Sequence, residues 1–549
     1  MEYLRGGYRL TALLLIALFC STTPLGAQPP SREQPRFGGV LKIAMNTEPP
    51  SLDTHWSTAN ITDQIMRHVV ETLYTVDTDW SPIPHLAEGH AVSNGGRVYT
   101  ITLRRGVRFH NGKEMTAADV VTSLNRWGRI GSVGKTVWKS VEAVDAKGPH
   151  EIVIRLKESS GVLLSALAAG ANGAAIYPKE IIDATGDGQL KQFIGTGPFR
   201  FVEHKPDRHV RLARFKEYAA RSDPPNGTGG KRIAYLDELL FIPVPDVAVR
   251  LAGVESGTYH YSQTIKQDQY DRLLTVRSVE PRITSPSAWV GALLNHKQGL
   301  MTGKKLRQAF QAALDMEPVM AAAVGHRLFY RLDPGLSPPE AVLWHSTAGG
   351  ALYNHKDSEK ARRLLKEAGY AGQPVRWLTT QEFEFHYKSA LVAKQQLEEV
   401  GFRIDLQVLD WATVTQRRNK PELFDVVSVS AAWSGLDPAL STRCDFPGWW
   451  CLEEKDRLLG ELTRETDLRK RKALIDRIQI LFYEDVGRIK FGDMFALAVV
   501  RKELRGDFRS SPHFNFWNAW LEKKYPSPTR EDLRRPPPPG PDPGRPRGG

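Results

Sequence analysis

Cysteine and long apolar runs are both scarce in this sequence. Only three cysteines occur in 549 residues, and Cys444 and Cys451 have no histidine nearby, so a zinc site there is a poor fit. The apolar run Leu10–Phe19 is about half as long as a membrane-spanning helix, which needs roughly 20 residues. We therefore expect no metal, no cofactor and no spanning helix.

Catalytic motifs are lacking as well. The chain contains neither a G-x-S-x-G nor an H-E-x-x-H pattern, and it has no paired metal-ligand spacing. Isolated histidines such as His110 and His386 are more often structural or surface residues than catalytic bases. A secreted hydrolase stays a minor alternative, and no enzyme activity is expected. Repeats and a β-sandwich rhythm, which an adhesion or structural module would show, are also missing.

Positive charge is in excess but is not concentrated. Lys and Arg outnumber Asp and Glu by 74 to 62, for a formal charge of +12, and they are scattered among acids without a long basic run. This indicates a solvated basic surface, so no nucleic-acid partner is expected. A chain of 549 residues is too long for one core and predicts roughly two to four domains.

The N-terminus has the order of a signal peptide. Arg5 and Arg9 precede the apolar run, and small residues lead up to Ala27, after which cleavage is predicted. Cys20 offers a lipoprotein alternative, but Phe19 before it is bulky where lipoprotein signals have a small residue. Secretion with cleavage near Ala27 is favoured.

Secretion would leave two cysteines in an oxidising compartment. Cys444 and Cys451 would then be the remaining pair. A disulfide across so short a loop would stabilise the folded chain by roughly 2.5 kcal/mol, if the geometry allows it. We expect this pair to be oxidised.

Residues 97–121 contain the clearest local pattern. Val98 to Leu103 alternates in polarity, as a half-buried strand does, and Asn111-Gly112 marks a tight turn. Thr116 can cap the helix that follows, and Asp119 lies at its positive end. The pattern predicts strand, turn, strand and capped helix.

The region after residue 370 predicts parallel strands. Val375–Thr379, Ser389–Val400 and Phe402–Leu409 indicate strand, helix and strand, and another strand is predicted over Phe424–Ser430. Parallel strands bring their carboxyl ends to one edge, where α/β sheets bind ligands. A final strand is predicted over Ala496–Arg501, and an apolar stripe from Ile61 to Tyr74 predicts a helix.

Several of these segments resemble one family closely. The sequence resembles the family 5 extracellular solute-binding proteins, which are the dipeptide, oligopeptide and nickel receptors of bacterial ABC importers. The matching positions are Thr102-Leu103-Arg104, Gly106-Val107, Phe109-His110, Gly112, Thr116-Ala117 and Asp119-Val120, then Gly195-Thr196-Gly197-Pro198-Phe199, Leu293-Leu294-Asn295, Leu306-Arg307-Gln308-Ala309, Ala313-Leu314-Asp315 and Lys360 to Tyr370. The resemblance covers roughly residues 37–525.

The resemblance implies an α/β fold of the periplasmic binding protein type. It has two large lobes with a hinged cleft between them, and an extra small subdomain in the N-terminal lobe. The implied organisation is a signal peptide (1–27), a flexible leader (28–36), lobe I (37–75, 196–292 and 496–525), the small subdomain (76–195), lobe II (293–495) and a disordered Pro-rich tail (526–549).

Five residues are candidates for contacting the ligand. Glu48 follows the first predicted strand, VLKIAM, at its carboxyl end. Phe383, Trp411, Trp433 and Asp437 lie on three loops that follow the predicted strands of lobe II, and Trp433 and Asp437 are the predicted centre. The alternative is that Asp437 caps the next segment, with Pro438 as its first helical residue.

The resemblance also implies the partners. It predicts a monomeric periplasmic receptor that closes its lobes on a small solute and delivers it to permease subunits in the inner membrane. Peptide receptors of the family have an aspartate between a W-T-G-like triplet and a D-P pair. Here Trp433-Ser434-Gly435 is followed by Leu436 and directly by Asp437-Pro438, so that acid is missing unless Asp437 replaces it. Peptide is favoured, and an opine, a sugar or a metal complex stays open.

Overall fold

The computed structural model describes residues 34–170, 172–433, 437–507 and 514–522. The predicted signal peptide, most of the predicted leader, the Pro-rich tail and residues 434–436 lie outside this range. The strands are β1 Val40–Met45, β2 Tyr74–Val76, β3 Pro82–Pro84, β4 Ala87–Ser93, β5 Val98–Leu103, β6 Val141–Ala146, β7 Glu151–Leu156, β8 Phe199–Lys205, β9 His209–Arg214, β10 Glu238–Pro243, β11 Tyr261–Ile265, β12 Val279–Leu294, β13 Tyr330–Arg331, β14 Pro374–Thr379, β15 Arg403–Val408, β16 Val426–Ala432, β17 Ile489–Arg501, β18 Leu504–Gly506 and β19 Ala519–Leu521.

The α-helices accompany these strands throughout the described ranges. They are α1 Asn60–Met66, α2 Ala117–Ile130, α3 Ser132–Val137, α4 Leu163–Leu167, α5 Lys179–Thr185, α6 Val247–Ser256, α7 Tyr270–Leu274, α8 Lys304–Ala313, α9 Met316–Val324, α10 Ser358–Glu367, α11 Glu384–Glu399, α12 Trp411–Arg417, α13 Pro438–Ser441, α14 Glu453–Arg464 and α15 Leu468–Asp485. Within the described ranges, no helix combines the length and the apolar character of a membrane-spanning segment.

One large sheet connects the two predicted lobes. Its strand order is β15-β14-β16-β12-β17-β11-β1-β10-β9-β8, with β13 on the side of β17. In lobe I, β1 runs parallel to β10 and to β11. In lobe II, β14 runs parallel to β15 and β16, which confirms the predicted parallel pairing.

The long strands β12 and β17 join the two sets. They pair antiparallel along most of their length, and the pairing is irregular on both sides of Pro286, which has no N–H to donate. The predicted lobe boundaries at 292/293 and 495/496 fall inside these two strands.

The small subdomain contains a second sheet. Its order is β4-β5-β7-β6, and α2 packs on it. Strand β5 has the predicted bounds and buries Tyr99, Ile101 and Leu103. At the start of α2, the Asp119 carboxylate accepts hydrogen bonds from the Thr116 amide at 2.9 Å and hydroxyl at 2.7 Å, as the capping pattern predicts.

Three predicted elements differ from the structure by five residues or more at one end. Helix α1 ends at Met66 instead of continuing to Tyr74, because the Val69 carbonyl accepts from the Gly197 amide at 2.9 Å outside any helix. Helix α11 begins at Glu384, five residues early, where the Glu384–Lys388 ion pair supports its first turn. Strand β17 begins at Ile489 instead of Ala496. Its first half can be buried because the charges of Lys490 and Asp493 pair with each other at 2.8 Å.

The lobe II sheet buries both faces. Along β12, Val290, Ala292 and Leu294 belong to one apolar cluster, while Trp289 and Leu293 belong to another. The alternation places these clusters on opposite faces of the sheet. The cluster around Trp289 also contains Trp433 and, from the small subdomain, Trp80 and Val162.

Candidate functional site

The carboxyl ends of the parallel strands from both lobes meet where β12 and β17 are irregular. Ala432, the last residue of β16, is paired with Ala288 of β12, and Ile265, at the end of β11, is paired with Leu497 of β17. We call residues 284–288 and 493–497 the seam. Such a meeting point of strand ends is the usual ligand position in α/β sheets.

Two hydrogen bonds attach loops of both lobes to the seam. The Trp433 amide of lobe II donates to the Ser287 carbonyl at 3.1 Å. The Gln267 side-chain amide of lobe I donates to the Phe495 carbonyl at 3.4 Å. Loops that follow β11 and β16 are therefore fixed next to one another.

The predicted residues Phe383 and Trp411 do lie together. Their rings meet edge to face at a centroid distance of 5.2 Å, and Phe383 is 39% exposed. The His386 ring contacts both, at 5.6 and 5.5 Å, and accepts or donates a hydrogen bond at Ser430. Burial lowers the pKa of His386 to about 4, so the ring is neutral near pH 7. The Arg418 guanidinium lies 5.6 Å from the Trp411 ring centre.

Glu48 is placed at the carboxyl end of β1, as predicted, but it has a partner in lobe I. Its carboxylate is hydrogen-bonded to the His204 ring of β8, and its side chain is 29% exposed. The contact that the structure gives this carboxylate is therefore with lobe I, not with the aromatic pair of lobe II. Its role in ligand binding stays a prediction.

Trp433 lies beside the seam and is 9% exposed. Its ring centre is 5.2 Å from the Lys490 ammonium, close enough for a cation–π contact. Its indole N–H is buried and has no hydrogen-bond partner among the described residues. The Trp344 indole N–H is in the same state, so this feature does not by itself mark a ligand position.

Asp437 has the arrangement of the capping alternative. Its carboxylate accepts from the Ala439 amide at 3.0 Å, and Pro438 is the first residue of α13. It also forms an ion pair with Arg471, and the two side chains are 0% and 1% exposed. Burial raises the pKa of the Asp437 carboxyl, which Arg471 opposes. Because an internal cation already balances this carboxylate, its predicted contact with the ligand stays a prediction.

A cluster of charged side chains that the sequence analysis did not single out lies at the seam. We call Arg331, Asp333, Glu340, His345, Lys490 and Asp493 the seam cluster. Asp493 is fully buried between two cations, 2.9 Å from Arg331 and 2.8 Å from Lys490. Asp333 accepts from His345 at 3.1 Å. Burial acts to raise the pKa of Asp333, but this hydrogen bond and the Lys490 charge outweigh it, so the pKa is lowered.

The small subdomain contacts lobe II on the face that carries Trp433. The Gly161 amide donates to the Thr463 carbonyl at 2.8 Å, and the Val342 amide donates to the Asp79 carbonyl at 3.2 Å. Trp80 and Val162 are buried in the lobe II cluster, at 1% and 3% exposure. The small subdomain and lobe II are therefore in direct contact through backbone hydrogen bonds and buried apolar side chains.

The two cysteines form a disulfide. The Cα atoms of Cys444 and Cys451 are 4.8 Å apart, in the loop between α13 and α14. Within the described ranges, no group of three or more His, Cys, Asp or Glu side chains is placed to hold a metal ion.

Known proteins share this architecture. A family model described as "Bacterial extracellular solute-binding proteins, family 5 Middle" matches residues 81–443. A probable peptide ABC transporter periplasmic-binding protein, y4tO of Sinorhizobium fredii, is 28% identical over 82% of this chain and 88% of its own length.

Two solved structures show the shared fold. The oligopeptide-binding protein AppA of Bacillus subtilis, in complex with a nonapeptide, superposes with a TM-score of 0.71 at 22% identity, covering 89% of this chain and 100% of AppA. AgaA of A. tumefaciens R10, in complex with agropinic acid, superposes with a TM-score of 0.72 at 20% identity, covering 89% of this chain and 99% of AgaA. These similarities confirm the predicted periplasmic-binding-protein fold. The chain belongs to the bacterial extracellular solute-binding proteins of family 5.

Proposed function

We propose that this protein is the receptor of a bacterial ABC importer and binds a peptide at the seam. The observation that carries the proposal is the meeting of strand ends from both lobes beside Trp433 and the seam cluster. Apolar walls with a few charged groups are typical of solute sites. Closure of the two lobes on the ligand would then present the closed form to the permease.

The charges at the seam support a zwitterionic ligand. Arg331 and Glu340 are each 29% exposed, so the cluster offers one accessible group of each sign. A peptide carries an ammonium and a carboxylate and could use both. The names of y4tO and of the AppA complex also favour a peptide, whereas the AgaA complex keeps an opine as the second candidate.

The cellular setting belongs to the same proposal. We place the mature chain in the periplasm as a monomer without enzyme activity. Residues 1–27 are removed in this proposal, and the lobes have the boundaries that the sequence predicts. The Cys444–Cys451 disulfide supports an oxidising compartment. Intact mass of protein from a periplasmic extract would begin near Gln28, whereas a lipidated form beginning at Cys20 would contradict cleavage after Ala27.

A thermal-shift screen tests the function. Peptides of two to nine residues, opines, sugars and nickel–histidine complexes are each added to the purified mature protein. A ligand at 100 times its Kd stabilises the folded state by about 2.7 kcal/mol, which appears as a higher melting temperature. Stabilisation by peptides alone supports the proposal, and stabilisation by opines alone would replace the peptide with the second candidate.

Turnover distinguishes a receptor from the hydrolase alternative. Chromogenic esters and peptides are incubated with the same preparation at the concentrations that stabilise it. A receptor leaves them intact. Cleavage that co-purifies with the protein would contradict the proposed function.

A further inference from the structure

Arg331 lies where a strand of lobe I and a strand of lobe II pair with the same edge of β17. Arg331 and Tyr330, which form β13, are paired with Asp493 and Met494 of β17. Strand β11 of lobe I pairs with β17 from Leu497 onward. Because β12 pairs along the other side of β17, β11 and β13 share one side, where residues 495 and 496 separate them.

The Arg331 guanidinium is bound on one side by residues of strand β17. Its Nε and Nη2 donate to the buried Asp493 carboxylate at 3.2 and 2.9 Å, and its centre lies 5.3 Å from the Phe495 ring. A guanidinium fixed in this way has a defined direction for its remaining N–H groups.

Glu340 covers those remaining N–H groups. Its two carboxylate oxygens accept from Nη1 and Nη2 of Arg331 at 3.0 and 2.9 Å, which is the two-point geometry that guanidinium forms with carboxylates. Glu340 lies on the loop that contacts the small subdomain through the amide of Val342. Both side chains are 29% exposed, so solvent reaches the pair.

The other cations near the seam are less suited to a ligand anion. Lys490 is 3% exposed, lies against the Trp433 ring and donates to the Gly335 carbonyl at 2.6 Å. Arg471 is buried against Asp437. Arg331 differs from both, because one of its two carboxylate partners, Glu340, is partly exposed and lies on a loop.

We propose that Arg331 receives a carboxylate of the ligand and that Glu340 is an internal carboxylate that competes for the same two N–H groups. The ligand class is a solute with a free carboxylate, such as the C-terminus of a peptide. The inference rests on the proposed function. Displaced by the ligand, Glu340 is free to face solvent or to meet a cationic group of the same ligand.

The test compares tri-alanine with its C-terminal amide by calorimetry on the full mature protein. The wild type should bind the acid at least tenfold more tightly, because the amide cannot accept two charge-assisted hydrogen bonds. Arg331→Gln should lose this preference, and Glu340→Gln should bind the acid several-fold more tightly than the wild type. Glu454→Gln, which removes the acid of the exposed Arg477–Glu454 pair, is the matched control and should leave both affinities unchanged.

The outcomes separate this inference from the function on which it rests. Binding of acid and amide with equal affinity by the wild type, or a preference that survives Arg331→Gln, overturns the carboxylate subsite and leaves peptide binding intact. If Arg331→Gln does not fold, Glu340→Gln decides: unchanged affinity for the acid overturns the competition. If the wild type binds neither form of tri-alanine nor any other peptide in the screen, the function and the subsite are overturned together.

Discussion

Gly161 offers a way to weaken the contact between the small subdomain and lobe II without replacing a residue of the seam or of the seam cluster. A Cβ atom at this position would lie 1.8 Å from the Glu465 carbonyl oxygen and 2.1 Å from Nη1 of Arg471. Both distances are far below van der Waals contact, and the first atom is backbone, which cannot rotate away. Gly161→Ala therefore forces the two segments apart.

The expected cost follows from overpacking. Added carbon in a closely packed contact typically destabilises it by about 1–3 kcal/mol. Here the cost applies to the form in which the small subdomain contacts lobe II. The apparent affinity for a ligand that needs this form should therefore fall by about 5-fold to 150-fold. The fold of each segment should be retained.

The assay is a peptide titration combined with small-angle scattering. Gly161→Ala should show weaker binding and a larger radius of gyration in saturating peptide than the wild type. Gly89→Ala is the matched control, because Gly89 lies in the same subdomain and a Cβ there meets nothing within 4 Å. Equal affinity and equal scattering for Gly161→Ala and the wild type would refute the claim that ligand binding requires this contact.

Three further predictions concern stability. Asp437→Asn keeps a capping residue but leaves Arg471 unpaired, and removing one partner of a buried pair should cost about 3–5 kcal/mol in urea unfolding. The exposed helix cap Asp410→Asn is the control, and an equal cost in both would contradict the pairing. Reduction of the disulfide should cost roughly 2.5 kcal/mol, and thiol titration of the unfolded, unreduced protein should find none free. Buried His386, with its pKa lowered to about 4 from 6.5, stays neutral in the folded state as the unfolded state gains a proton. Its contribution to stability should therefore be constant above pH 6.5 and fall by about 1.4 kcal/mol per pH unit between pH 6.5 and about 4, a slope that His386→Asn should reduce.

Local patterns predicted the fold well where the chain makes mostly local contacts. Strand β5 alternates strictly, and the Thr116–Asp119 cap marks the start of α2 four residues after the Asn111-Gly112 turn. The parallel pairing of β14 with β15 also followed from their strand, helix and strand order. The cap joins residues three positions apart, and β14 and β15 are consecutive strands joined by one helix, so in both cases the sequence signal lies within one short segment.

The seam was not predictable by the same means. Arg331 and Asp493 are 162 positions apart, and each reads as an ordinary surface charge in its own segment. The first half of β17 was not predicted as a strand, because it contains Lys490, Gly492 and Asp493, and such residues are depleted in strands. Their pairing becomes evident only when β13 and β17 are adjacent in space.

Asp437 shows the limit of positional reasoning. Its place after β16 predicted a ligand contact, and its place before Pro438 predicted a helix cap. The buried partner Arg471 lies on α15, which no local pattern links to this loop. The sequence therefore predicted two roles for the residue but did not identify the cation that balances its charge.

Photo-crosslinking tests the central claim, that the solute binds at the seam, most directly. A peptide with a photoreactive side chain, competed by its unlabelled form, is irradiated with the mature protein and the modified residues are mapped by mass spectrometry. Binding at the seam predicts competed labels on residues 331–345, on Trp433 and on residues 493–497. Competed labels confined to other surfaces would contradict it.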